Sequence, residues 1–208
     1  MVIFVTGIGT DVGKSWATGW LANKFAEEGK SVITQKFIQT GNHDMSEDIL
    51  LHRKIMNKQL LTPDLLHVTC PVILSYPASP HLAARIDNTQ IDINVISEAS
   101  ATLEKEFDVV LVEGAGGVMV PVSDDYLTID YIAEQELPVV LVTNGRLGSI
   151  SDTLLALEAI ERRGLTLFAV IYNPHFDSDK IIAEDARDYM HRYTQRHFPD
   201  ALWLEMPS

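Results

Sequence analysis

A 208-residue chain with 46% hydrophobic and 22% charged residues has a globular composition and can bury a sizeable core, so residues 1–208 are expected to form one domain. Its formal net charge of −13 sets the surface against the phosphate backbone of nucleic acid. The single cysteine, Cys70, excludes an internal disulfide, and no apolar run nears the ~20 residues of a membrane span or resembles a signal-peptide core, so a cytoplasmic protein with no nucleic-acid or membrane partner is expected.

In chain order, a β-rich run at 2–6 leads into GIGTDVGKS at 7–15 and an amphipathic helix over 14–28, which Gly29 closes as a left-handed cap. A strand is expected at 31–37 and a helix at 45–56. Residues 63–88 hold Pro63, Pro71, Pro77 and Pro80 and keep neither period, so they read as loops over the sheet edge. Helices follow at 95–106, 128–134, 150–162 and 180–196, with strands at 109–112, 138–143 and 167–172; Gly164 closes the helix before the last strand. Runs such as VVLV and PVVLV are apolar without alternation, as strands buried on both faces are. Strand–helix alternation of this kind makes a doubly wound, mainly parallel α/β sheet with helices on both faces. With a phosphate loop it becomes a three-layer arrangement of the P-loop NTPase kind.

The loop at 7–15 has unusual spacing. A phosphate-binding loop normally has a glycine five residues before its Gly-Lys pair, and Ile8 stands there, with Gly7 one place early. Its setting between a strand and a helix is nevertheless the one in which backbone N–H groups converge on an anion. Lys14 would then reach the β and γ phosphates and Ser15 would ligate magnesium.

The loop matches T-G-x-x-T-[DE]-V-G-K-[ST], and with QKFIQTG at 35–41, SEDILLHR at 46–53, YPASPHLAA at 76–84, VLVEGAGGVMVPVSD at 110–124 and LPVVLVTNGRLGSI at 137–150 the chain resembles the dethiobiotin synthetases along nearly its whole length. The resemblance implies ATP and Mg2+, CO2 and 7,8-diaminononanoate as ligands, and a homodimer whose substrate site is completed across the interface. It implies capture of CO2 as a carbamate, attack on the γ-phosphate, and ring closure by the second amine. It makes Lys36 and Lys14 the catalytic lysines, and Ser15, Asp48 and Glu113 the metal side. It places ATP at Asp11, Val12, Gly13, Lys14, Ser15, Trp16, Asp48, Glu113, Gly114, Ala115, Gly116, Asn173 and Pro207. It places the substrate at Thr10, Lys36, Thr40, Gly148, Ser149, Ile150, Ser151 and Tyr189.

Read from the residues alone, several of these have plainer alternatives. Lys36 could be a solvated lysine, and Asp48 a helix-start charge favoured by the dipole. Asn173 before Pro174 could be a turn residue; the free N–H groups where residues 145–151 lead into a helix form a ready anion site, but Gly148 and Ser149 could merely cap that helix within one subunit. Trp16, Trp20 and Phe25 read as packing surface, His81 as positional, and His175, His191 and His197 as solvated. Family members often run past the E-x-P turn, whereas this sequence ends at Ser208, so looser coverage of the base is expected. VEGAGG also occurs in cobyrinic acid amide synthases, but those need a glutamine-hydrolysing domain for which 208 residues leave little room. A partition-type switch would need a lysine where Gly9 stands.

Overall fold

The computed structural model describes residues 1–207. Strands β1 (Val2–Gly7), β2 (Val32–Lys36), β5 (Val109–Gly117), β6 (Val139–Asn144), β7 (Leu167–Asn173) and β8 (Leu202–Glu205) form one sheet in the order β2-β5-β1-β6-β7-β8. Every pairing in it is parallel. The long helices are α1 (Lys14–Glu27), α2 (Glu47–Ile55), α5 (Ile93–Glu104), α7 (Ser149–Arg162) and α8 (Lys180–His197). Shorter ones are α3 (Thr62–Leu65), α4 (Pro80–Ile86) and α6 (Thr128–Glu134).

The period-two alternation of strand side chains sorts the apolar runs into two cores. Phe4, Ile33, Val110, Val112, Leu141 and Val170 face one core, which Ile96 and Leu103 of α5, Ile129 and Ile132 of α6 and Leu157 and Ile160 of α7 cover. Ile3, Val5, Leu111, Val140, Val142 and Ile171 face the other, under Ala17, Leu21 and Ala22 of α1. A one-residue slip of any strand would exchange the two sets. On the α1 side, Asn23 Nδ2 donates to Ile55 O (3.0 Å) and ties α1 to α2. Gly29 and Gly164 take positive φ after α1 and α7, as their capping role requires. No helix among the described residues is long and apolar enough to cross a membrane.

Three segments differ from the sequence reading. Residues 63–88 are not only loops: they hold most of α3, all of α4, and β4 (Ile73–Leu74), which pairs in parallel with β3 (Gln39–Thr40). Each of these pieces is too short to leave a period in sequence. The strand expected at 109–112 runs on through GAGG, and Gly117 still pairs with Gly7. The edge strand β8 was missed, because its partly exposed LWLE lacks the apolar continuity of the inner strands.

Candidate functional site

The loop between β1 and α1 is braced from the end of β7, two strands away. Gly13 has φ +89°, and a Cβ there would lie 2.2 Å from Asn173 Nδ2, so the position needs glycine both for backbone freedom and for space. Asn173, the last residue of β7, donates from Nδ2 to Val12 O (3.1 Å) and accepts from His175 N (3.1 Å). Lys14 folds back, its Nζ donating to Gly9 O (2.8 Å). Burial draws the Lys14 pKa down to about 8, against the opposing pull of Glu113.

Neighbouring strand ends set the charged centre. The register of β2 on β5 places Lys36 beside Glu113. Ser46 caps α2, its Oγ accepting from Ile49 N, which fixes Asp48 in the first turn. Lys36 Nζ then reaches Glu113 Oε1 at 2.8 Å, Asp48 Oδ2 at 2.5 Å and Gly114 O at 3.2 Å, so its three donors are all engaged. Burial opposes both buried charges, yet their pairing outweighs it. Lys36 is held above the ordinary ammonium range, and Glu113, also bonded to His52, well below the carboxylate range.

Ser15 Oγ lies 2.7 Å from Asp48 Oδ1 and 3.0 Å from Glu113 Oε1. A hydroxyl has one proton for these two acceptors, so one contact sets oxygen against oxygen, an arrangement that a cation between them relieves. Two carboxylates and a hydroxyl, with phosphates and waters completing the shell, are a donor set that suits Mg2+. Among the described residues no group of three or more His, Cys, Asp or Glu side chains could hold a metal alone.

These residues line a cleft of about 690 Å³. It contains Thr10, Asp11, Gly13, Lys14, Ser15, Trp16, Lys36, Thr40, Asp48, Glu113, Ala115 and Gly116, with Pro77–Pro80 and Phe176 besides. Lys36 is buried rather than solvated. Trp16 is 53% exposed on the cleft wall and is not packing surface, whereas Trp20 and Phe25 do pack on the second core. Val12, in the loop, and Asn173, bonded to its carbonyl, are both buried, and Gly114 meets Lys36 through its carbonyl. Pro207 follows β8 and does not line the cleft.

Gly148, Ser149, Ile150, Ser151 and Tyr189 lie apart from that cleft. Gly148 and Ile150 line a second hollow of about 370 Å³ with Arg146, Leu147, Ile181 and Ile182. The N–H of Ser149 is not free as expected: it donates to Arg146 O (3.0 Å), and the Ser149 hydroxyl donates to Asn144 Oδ1 (2.6 Å).

Two residues escaped the sequence reading. Phe176 closes the cleft beside Gly13, with the Arg146 guanidinium 3.9 Å from its ring centre. His52 is fully buried against Glu113. Its i, i+4 spacing from Asp48, which puts both on one helix face, was the available signal.

Over residues 1–197 the chain matches a protein family described as an AAA domain. It is 44% identical over 205 residues to ATP-dependent dethiobiotin synthetase BioD 2 of Pasteurella multocida, covering 99% of this chain and 96% of that protein. With the Haemophilus ducreyi protein of the same name the identity is 46% over 205 residues, covering 99% and 97%. Among solved structures it is similar to a ParA family ATPase from Chlorobium tepidum TLS, with a TM-score of 0.56, 15% identity and coverage of 100% of this chain and 84% of that one. A MinC:MinD cell division protein complex of Aquifex aeolicus gives a TM-score of 0.54 at 17% identity, covering 95% and 86%. At such identities the likeness concerns the fold alone.

Proposed function

The chain belongs to the ATP-dependent dethiobiotin synthetase family, and on that premise we propose how its residues divide the work of closing the ureido ring of dethiobiotin. One amine of 7,8-diaminononanoate adds to CO2 and loses a proton, giving a carbamate. A carbamate oxygen attacks the γ-phosphorus of ATP, forming a carbamic-phosphoric anhydride and releasing ADP. The second amine attacks the carbamate carbon, and the C–O bond breaks to expel phosphate.

The task for the protein is to hold anions together and neutralise the charge that develops between them. The N–H groups at residues 11–16 and Lys14 receive the phosphates. Ser15, Asp48 and Glu113 would hold Mg2+, which would supply positive charge against the phosphates. Lys36, at the same strand ends, is placed to meet the carbamate and the transferring phosphoryl group. Thr10 and Thr40 contact the reacting end of the substrate. The nucleoside leaves the loop on the Gly13 side, where Phe176 offers an aromatic wall and Asn173 steadies the backbone.

The observation that carries this reading is the sharing of one buried ammonium, that of Lys36, between Glu113 and Asp48 beside Ser15. Turnover in 18O-labelled bicarbonate tests it. Transfer of a carbamate oxygen puts one label into each phosphate released, and unlabelled phosphate would overturn the carbamate route.

We further propose a homodimer. The substrate carboxylate lies a long aliphatic chain from its amines, and the hollow at the start of α7 is rimmed by Leu147 and Ile181, which are 87% and 81% exposed. A second copy covering this face would bring Gly148, Ile150, Ser151 and Tyr189 to the tail of its neighbour's substrate.

A further inference from the structure

We propose that His52 is a positioning residue for Glu113, fixing which carboxylate oxygen faces the metal and the phosphates. The inference rests on Glu113 being the metal-side carboxylate, and it begins from the hydrogen bonds of a histidine with no exposed surface. His52 Nε2 lies 2.6 Å from Glu113 Oε2, and Nδ1 lies 3.1 Å from Thr34 Oγ1.

Glu113 decides the tautomer. Its carboxylate can only accept, so the contact at Oε2 needs a proton on Nε2, and Nδ1 can accept the hydroxyl proton of Thr34, whose Oγ1 accepts from Arg53 Nη1 (2.8 Å). Donation therefore runs one way, from Arg53 through Thr34 and His52 to Glu113, and ends on Oε2. That leaves Oε1 for Ser15 and Lys36.

The alternative arrangement shows what His52 contributes. The terminal torsion of a glutamate is soft and roughly two-fold. Without an anchor on Oε2 the carboxylate could turn and present both oxygens to a cation. Partners that orient a metal-side carboxylate in this way typically govern metal affinity as well as activity. His52 and Asp48 lie one helical turn apart on α2, so one helix supplies a carboxylate and the group that aims the other.

Two measurements test this. In metal-free protein labelled with 15N-histidine, long-range proton–nitrogen correlation reads the imidazole directly. A proton on His52 Nε2 is expected, and a bare Nε2 overturns the proposal whether or not any variant folds. The second measurement compares His52→Gln, whose amide can donate from nearly the same place, with His52→Met, which fills the space without a donor. Mn2+ affinity in the presence of ADP is read by electron paramagnetic resonance, with kcat and KM for the diamine on the same folded samples. His52→Met should weaken Mn2+ binding about 10- to 100-fold and lower kcat while KM for the diamine holds, and His52→Gln should recover most of the loss. Wild-type affinity in both variants, or equal loss in both, overturns the proposal. If wild-type protein binds no Mn2+ with ADP although Nε2 is protonated, the reading of Glu113 as a metal-side residue fails, and the proposal with it.

Discussion

Replacing Asp64 by Asn strips a buried guanidinium of its counter-charge, and the cost can be worked from the contacts. Arg53 donates from Nε to Asp64 Oδ2 (2.8 Å) and from Nη2 to Oδ1 (2.7 Å), and both residues are almost fully buried. The remaining acceptor capacity of Asp64 serves Leu61 N and Thr69 Oγ1, each at 2.7 Å. Asparagine would turn an amide donor against two of these four donors, since each Asp64 oxygen accepts two bonds. Arginine cannot shed its proton to escape, so the loss should reach about 3–5 kcal/mol, as for one-sided removal of a buried pair. For a chain of this size that lowers Tm by roughly 6–20 °C. Urea unfolding of the variant and the wild type measures it, with Arg53→Met/Asp64→Leu expected to lose less than the single variant. The pH dependence has a definite sign. Burial alone would raise the Asp64 pKa, but bonds from Arg53, Leu61 and Thr69 outweigh it and hold the value below the ordinary 3.8. The contribution is therefore complete above pH ~4 and lost as pH falls through the depressed value. The gap between wild type and variant should be the same at pH 7 and pH 5. A loss under about 1 kcal/mol, the range of an exposed pair, or a gap that shrinks between pH 7 and 5, would refute the reasoning.

Three further outcomes follow from the cleft. Gly13→Ala meets Asn173 Nδ2 at 2.2 Å and should weaken ATP binding at least tenfold in calorimetry; unchanged affinity would mean that the Asn173 brace is dispensable. Glu113→Gln and Asp48→Asn should each raise the Mg2+ concentration for half-maximal activity, and unchanged dependence in both would leave these carboxylates a structural role only. Sedimentation should show a dimer, and mixing a Lys36→Gln variant with one altered at Ser151 and Tyr189 should restore some activity through hybrid dimers; full activity in a monomer would defeat the shared site.

The inner sheet was legible in the sequence because its strands are buried on both faces, which forces continuous runs such as VVLV. The phosphate loop was legible despite its spacing, because strand, glycine loop and helix occur in the order that phosphate binding needs. What stayed hidden depends on distant partners. Nothing local marks Thr34 as a partner of Arg53 across 19 residues, and the spacing of His52 from Asp48 hints at a shared helix face but not at Glu113, 61 residues away. Pairing of this kind explains the misreading of 63–88: α3 is held by Asp64 on Arg53, not by a hydrophobic period of its own. Asn173 reads in sequence as a turn residue or an ATP contact; its Oδ1 does cap the turn at His175 N, but its bond to Val12, 161 residues away, belongs to neither reading.

The central claim is that this cleft couples ATP cleavage to ring closure on a diamine. Its most direct test is phosphate release by the purified protein with ATP and Mg2+, with and without 7,8-diaminononanoate and bicarbonate, alongside mass-spectrometric assay of dethiobiotin. The account predicts one dethiobiotin per phosphate and no release when either co-substrate is omitted. Phosphate released at the same rate without the diamine, with no dethiobiotin formed in its presence, would contradict it.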